Sequence, residues 1–293
     1  MASQIAGWWF APQPRGRIVW LRAFAYLFVI ADVLLITTSP VALAGAGDGL
    51  YQPLFAARVL HLPEPSELLI TMLRSGIVGA ALFALWGRWP RSSGATVFAL
   101  YLLWMFAAFS YGKVDHDRFS ILVALAVLPT VGRAAWGEQG SDDASGWALR
   151  CIQVAVVATY FLAAWAKLRF GGVEWLNGAT LLRGVMRRGT PLAAPLIDRP
   201  AVLALAQHGI MAFELLSPLA LVHRVPRRIF LGGAAVFHLV TYATIAISFL
   251  PHLVCLLAFA PLERLSAARF EGTTRSTWVR YGSQRSREEG TWP

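Results

Sequence analysis

The sequence has 293 residues, of which 57% are hydrophobic and only 14% are charged, whereas soluble domains are about half apolar and about a quarter charged. This balance, with a mean hydropathy of +0.55, excludes a soluble globular domain. The net charge of +10 does not indicate nucleic-acid binding, because the basic residues lie in short flanks between apolar segments, as in membrane proteins. Cys151 and Cys255 lie in or beside apolar runs and predict neither a disulfide framework nor a zinc cluster.

Eight apolar runs predict an all-α, polytopic membrane bundle of about eight transmembrane helices. The fourth and eighth runs are short for full spans. We expect a cytoplasmic N-terminal segment at residues 1–17, a membrane domain at 18–262 and a basic, mobile cytoplasmic tail at 263–293. The predicted spans cover about residues 18–38, 68–86, 95–111, 119–132, 147–168, 201–222, 228–247 and 250–262.

The first run also resembles a signal peptide, because it follows Arg15 and Arg17 and ends in small residues up to Ala44. Its length favours an uncleaved first helix. The short loops on the side of the two termini are the richer in arginine, so we expect both termini in the cytoplasm. Between the fifth and sixth runs, residues Trp175 to Met186 predict an amphipathic helix that lies in the membrane interface.

Sequence motifs for phosphate loops, dinucleotide binding, zinc proteases and serine hydrolases are absent. The six histidines are scattered, so we expect no metal site. Candidates for chemistry are therefore the ionisable residues in or near the spans, because each costs several kcal/mol in hydrocarbon unless it faces a partner or a polar cavity.

Lys167 lies at the end of the fifth predicted span, in a segment that begins at Tyr160. A desolvated lysine there is a candidate base. The alternative is that Lys167 extends to the lipid headgroups beside Arg169.

Three other ionisable residues in or near the predicted spans each have a functional and a structural interpretation. His238 lies mid-span, four residues before Tyr242, and predicts either a ligand-orienting group or a hydrogen bond to a neighbouring helix. Glu214 lies deep in the sixth span and predicts a cationic or hydroxyl partner, structural or catalytic. His116 belongs to a charged loop that either shapes the entrance of a site or is simply solvated.

Four pieces of sequence resemble the HTTM group of membrane proteins, the bacterial relatives of vitamin K-dependent gamma-carboxylase. They occur in the family's order across about residues 18–262. The pieces are Asp115-His116-Asp117-Arg118-Phe119, Tyr160-Phe161-Leu162-Ala163 with Lys167-Leu168 and Trp175-Leu176-Asn177-Gly178, Phe213-Glu214, and Phe237-His238 with Phe249-Leu250-Pro251.

The resemblance implies a site for a reduced isoprenoid quinone, menaquinol or a vitamin K-like quinol. Lys167 would be the base, His116 and His238 would be catalytic partners near the quinone, and the chain has Ala166 where the carboxylase has a second lysine. We assign ligand binding to Glu214, Tyr160, Trp175 and Tyr242.

The leading hypothesis is a bacterial plasma-membrane protein with an outward-facing quinol or lipid site and carboxylase-like base chemistry. The expected partners are membrane lipid and a secreted peptide or separate protein substrate, without nucleic acid. The first alternative is a non-enzymatic helper in export, toxin maturation, immunity or envelope stress. The second is a transporter, since buried charges also mark transport paths.

Overall fold

The computed structural model describes residues 2–46 and 49–265. The expected mobile tail therefore lies, from residue 266 onward, outside the described residues. The described chain is α-helical apart from two short antiparallel strands, β1 (Gln13–Pro14) and β2 (Ser141–Asp142), which confirms the all-α class. Its helices are α1 (Ala2–Trp9), α2 (Arg15–Ala31), α3 (Ser39–Leu43), α4 (Phe55–Val59), α5 (Glu67–Leu85), α6 (Pro90–Phe109), α7 (Phe119–Val127), α8 (Asp143–Gly171), α9 (Ala179–Arg188), α10 (Pro200–Leu216), α11 (Arg224–Ile245) and α12 (Leu250–Leu256).

Six helical segments of the described chain are long and apolar enough to cross a membrane, so the protein is a multi-pass membrane protein. They are Arg15–Leu43, Glu67–Leu85, Pro90–Phe109, Asp143–Gly171, Pro200–Leu221 and Arg224–Ile245.

Six of the eight predicted spans are long apolar helices in the described chain, and the fourth and eighth correspond to short helices, in keeping with their short apolar runs. Helix α7 gives way to a 3-10 turn at Leu128–Val131, where Pro129 interrupts it. Helix α12 has 7 residues before a 3-10 turn at Leu257–Phe259. At about 1.5 Å per residue its α-helical part covers ~10 Å, against a hydrocarbon core of ~30 Å.

The first predicted span contains an irregular turn. Helix α2 continues into a π-helical turn at Asp32–Ile36 before α3 begins at Ser39. Asp32 lies within this turn and is fully buried. A π-helical turn lets a polar side chain leave the regular helical spacing, and here that side chain is a carboxylate inside the bundle.

Helices α2, α5, α6, α7, α8 and α12 share the main apolar core. At one end of the bundle, β1 pairs with β2, and Arg17 bonds both carboxylate oxygens of Glu263 at 2.8 Å. We call this the basic end, because α2 begins there among arginines. The opposite end, the site end, carries the 3-10 turn His116–Arg118, helix α9 and the start of α12.

Helix α9 corresponds to the predicted amphipathic helix. A 3-10 turn at Val173–Asn177 precedes it, so the α-helix begins at Ala179 and not at Trp175. Val185 is buried, whereas Arg183, Arg187 and Arg188 are exposed. The helix packs against α10 and α11 and so closes one side of the site end.

Candidate functional site

A cavity of about 720 Å³ lies between α8, α10, α11 and the start of α12, with the turn Val173–Asn177 at its side. On α8 it is lined by Tyr160, Ala163 and Lys167. Because residues three or four apart share one face of a helix, a single face of α8 forms this wall. The volume lies within the range of small-molecule sites, ~300–1,000 Å³.

Lys167 and Glu214 form an ion pair in the wall of the cavity. The Nζ atom of Lys167 lies 2.7 Å from Oε1 and 2.5 Å from Oε2 of Glu214. The side chain of Glu214 is only 5% exposed, while that of Lys167 is 25% exposed. The lysine therefore does not extend to the headgroups, and the carboxylate is held by the cationic partner that its depth in α10 requires.

Trp175 covers this ion pair from the side of the turn before α9. The Nζ atom of Lys167 lies 4.9 Å from the centre of the Trp175 ring, a cation–π distance. The buried side chain of Gln207 fixes the turn, because it donates to the carbonyl of Trp175 and accepts from the amide of Leu181.

Gly178 permits this close approach. Its φ of +91° is left-handed, and a Cβ atom there would lie 2.9 Å from the amide nitrogen of Ala204 on α10. Glycine is the residue that adopts this conformation and leaves that space.

Two buried histidines lie beside Tyr160. The Nε2 atom of His238 is 2.7 Å from the Tyr160 hydroxyl, and the Nδ1 atom of His252 is 3.2 Å from the Ser120 hydroxyl. Among the described residues, the other ring nitrogens, Nδ1 of His238 and Nε2 of His252, have no hydrogen-bond partner. Buried polar atoms are normally paired, so these two nitrogens are suited to a ligand.

Aromatic rings surround this polar group. Tyr160 meets the rings of Phe213, at 5.1 Å, and His252, at 4.6 Å, edge to face. Phe237 stacks on Phe249 at 6.1 Å. The site thus combines a few polar groups with apolar walls, which is the usual composition of a ligand pocket.

Comparison with protein families gives one match over most of the chain. The HTTM domain matches residues 63–262. The chain belongs to the HTTM family. No curated protein and no solved structure matches it. The matched residues begin after the first predicted span.

The HTTM domain brings six of the seven predicted site residues together. The cavity is lined by His116, Tyr160, Lys167, Trp175, Glu214 and His238. Tyr242 is 61% exposed on the outside of α11 and does not line it. On α11 the inward face continues through Thr241 and Ile245, at three and seven residues after His238.

His116 is exposed and lies at the rim of the cavity, next to Asp117. Burial raises the pKa of Asp117, and the neighbouring Arg118 and His116 only partly oppose this effect. Arg118 itself points into the bundle, where its Nη2 atom lies 2.9 Å from Oδ1 of Asp32. The rim is therefore attached to α2 by a buried ion pair.

His252 is the cavity residue that the sequence reasoning missed. It is 2% exposed and lies on α12 directly after Pro251, where the last two predicted spans met. A histidine inside a hydrophobic run was the available signal. In the described part of the chain, no group of three or more His, Cys, Asp or Glu side chains is placed to hold a metal ion.

Proposed function

We propose that the cavity of this HTTM-domain protein binds the head group of an isoprenoid quinol and that Lys167 and Glu214 together accept its hydroxyl proton. The observation that supports this best is the ion pair in the wall of an apolar cavity that also contains two histidine nitrogens without partners among the described residues. A quinol head group needs the same combination, since its ring is apolar and its two oxygens form hydrogen bonds.

The residues fit such a ligand. Phe237 and Phe249 would contact the ring, and His238 and His252 would bond its oxygens, as donor or acceptor according to their tautomers. A bound quinol would supply two electrons and two protons. The resemblance to relatives of vitamin K-dependent gamma-carboxylase supports the same ligand class.

The pair, and not Lys167 alone, is the proton acceptor in this proposal. An ammonium group that donates to both oxygens of Glu214 carries no free lone pair. Lys167 becomes a base only after its proton moves to Glu214, over a contact of 2.5–2.7 Å. Because the proton moves across this contact, substitution of either residue should impair proton transfer.

The cavity faces the outer side of a bacterial plasma membrane in this proposal. Support comes from the arginines at the basic end, since positively charged short loops stay in the cytoplasm. A separate protein or a secreted peptide would then reach the rim near His116.

Maleimide labelling of intact cells should modify Val114→Cys at the site end and leave Ser92→Cys at the basic end unmodified, and the reverse pattern would contradict this orientation.

The ion pair also supports a second candidate function, binding without chemistry. A lysine that donates to both oxygens of Glu214 has one N–H left, which can hold a polar group of a lipid or a peptide without accepting a proton. Such a protein would act as a helper in export, toxin maturation or immunity.

Quinol oxidation separates the two functions. Purified protein in lipid nanodiscs is supplied with reduced menaquinone, and oxygen uptake and quinone are measured. The chain has two lysines, so Lys113→Ala, an exposed residue paired with Asp115, is a matched control for Lys167→Ala. We expect Lys167→Ala and Glu214→Gln to lower the rate about 10²- to 10⁴-fold, as for loss of a general base. Equal rates in folded wild type and Lys167→Ala would refute the base and favour the binding function.

A further inference from the structure

A second candidate site lies at the basic end, opposite the quinol cavity. A cleft of about 500 Å³ is lined by Arg15, Trp89, Arg91, Gly132 and Arg133. We call it the Arg91 cleft. It adjoins a smaller cavity of about 190 Å³ that contains Arg22, Tyr26, Trp86 and Trp136, and Pro90 lines both.

The charge of the cleft is only partly neutralised. Arg15 is engaged by Glu138 at 3.1 Å and by Asp142 at 3.5 Å. Arg91 and Arg133 are exposed, and no carboxylate of the described chain lies within ion-pair distance of either. Two guanidinium groups therefore remain available to an anion, which they can bind in the bidentate way that suits phosphate.

The N-terminus of α6 opens onto the same cleft. Helix α6 has 20 residues, begins with Pro90 and has no side-chain cap at Trp89. The amides of Arg91 and Ser92 consequently lack intrahelical acceptors, and they attract negative charge together with the helix dipole. Trp89 is also left-handed, with φ of +46°, an unusual conformation for a bulky residue.

Unpartnered buried atoms give an independent indication of a ligand. Tyr26 is 2% exposed and Arg22 is 8% exposed, and both line the smaller cavity. Within the described chain, the Tyr26 hydroxyl and the Nε atom of Arg22 have no hydrogen-bond partner. The other two nitrogens of Arg22 donate to the carbonyls of Gly132 and Leu128, each at 2.7 Å, so the unpaired donor is held in a fixed place.

We propose that the Arg91 cleft binds the phosphate group of an anionic phospholipid. A lipid is favoured over a soluble phosphate because Trp89, which lines the cleft, and Trp86 and Trp136, which line the adjoining cavity, are all exposed. Tryptophan is enriched where a membrane meets water, and α6 is a candidate span, so its first turn lies at headgroup level. Arginines at this level attract anionic lipids.

The test is a binding titration of the full-length protein in detergent with dioctanoyl phosphatidylglycerol, dioctanoyl phosphatidylcholine and inorganic phosphate. We expect phosphatidylglycerol to bind at least about tenfold more tightly than phosphatidylcholine. Arg91→Gln/Arg133→Gln should lower the affinity for phosphatidylglycerol at least about tenfold, which is the effect of losing one charged hydrogen bond. The control, Arg187→Gln/Arg188→Gln on α9, removes the same charge at the site end and should change the affinity less than about twofold.

The remaining outcomes are equally decisive. Saturable binding of inorganic phosphate that depends on Arg91 would support the anion site and identify a soluble ligand. An equal loss in both double variants would show diffuse attraction and overturn the proposal, as would no loss in either. Tyr26→Phe should have opposite effects without and with lipid. Without lipid it should raise the melting temperature, because it removes a hydroxyl that has no partner in the described chain. With phosphatidylglycerol, the rise in melting temperature that the lipid causes should be smaller than in wild type.

Discussion

The bundle contains two ion pairs with very different surroundings. Asp32 forms an ion pair with Arg118 at 2.9 Å and accepts hydrogen bonds from Thr37 at 3.0 Å and Tyr101 at 2.9 Å, and its side chain is 0% exposed. Glu214 is bonded to Lys167 at the wall of a 720 Å³ cavity, beside histidine nitrogens without partners in the described chain.

The difference separates an ion pair enclosed by fixed partners from one that borders a cavity large enough for a ligand. Every oxygen of Asp32 is satisfied by fixed neighbours, so nothing remains to bind a ligand. The Lys167–Glu214 pair shares its cavity with unsatisfied groups, which the protein keeps at an energetic cost. A buried charged group alone does not indicate a ligand site, whereas buried polar atoms without hydrogen-bond partners beside a cavity do.

The largest expected effect is on the Asp32–Arg118 pair. Asp32→Ala leaves the guanidinium of Arg118 buried without a counter-charge, which should lower the free energy of unfolding by about 3–5 kcal/mol. Thermal and denaturant unfolding in detergent measure this effect. Lys167→Ala is the comparison variant. Its loss of unfolding free energy should be smaller, because Lys167 borders a cavity that admits water. An equal or larger loss in Lys167→Ala would remove the distinction between the pairs.

Two matched tyrosines sharpen the comparison. Tyr101→Phe removes a donor to the charged carboxylate of Asp32 and should cost about 1.5–3 kcal/mol of unfolding free energy. Tyr160→Phe removes a hydrogen bond to the neutral ring of His238 and should cost about 0.5–1.5 kcal/mol. In quinol oxidation the order should reverse, since only Tyr160 borders the cavity. Tyr101→Phe impairing oxidation more than Tyr160→Phe would contradict this assignment.

The smallest expected effect is at the basic end, away from both pairs. Partial burial by itself would raise the pKa of Glu263, but the hydrogen bonds and charge of Arg17 hold that pKa below its usual value. A lowered pKa means that the contact stabilises the fold above the carboxyl's unfolded pKa of about 4.3 and that this contribution is lost as the pH falls through the folded value.

Glu263→Gln should therefore be less stable than wild type by about 1 kcal/mol or less at pH 7. The difference should shrink as the pH falls below the carboxyl's unfolded pKa of about 4.3 and vanish once the pH is below the folded pKa. Melting temperatures at a series of pH values measure it, and a difference independent of pH would show that Arg17 does not control the carboxylate.

Hydropathy predicts most of this fold, because a long span must be a long apolar helix. The fourth and eighth apolar runs are already short in the sequence, but hydropathy does not predict where their helices begin and end. Pro129 lies just after the end of α7 and Pro251 lies in the first turn of α12, and an average over a window does not contain such local geometry. Asp32 was also missed, although it lies in the first predicted span, because its partners Arg118 and Tyr101 are distant in sequence.

The candidate site was more predictable than the packing. Lys167, Glu214 and His238 are costly residues in apolar segments, so the sequence itself identifies them. Their pairing is not readable there, because 47 residues separate Lys167 from Glu214. Tyr242 lies outside the cavity, because after His238 the residues of α11 that face the cavity are Thr241 and Ile245.

The central claim is that the cavity holds a quinol, and the most direct measurement is the amount of quinone that co-purifies with the protein. Ala163→Trp fills the cavity while leaving its polar residues in the chain, and Ala99→Trp, on the exposed face of α6, is the control. With melting temperatures unchanged, we predict that Ala163→Trp lowers bound quinone at least about tenfold, a loss of ~1.4 kcal/mol or more, while Ala99→Trp retains it. Equal quinone in both variants, or none in the wild type, would contradict the quinol site.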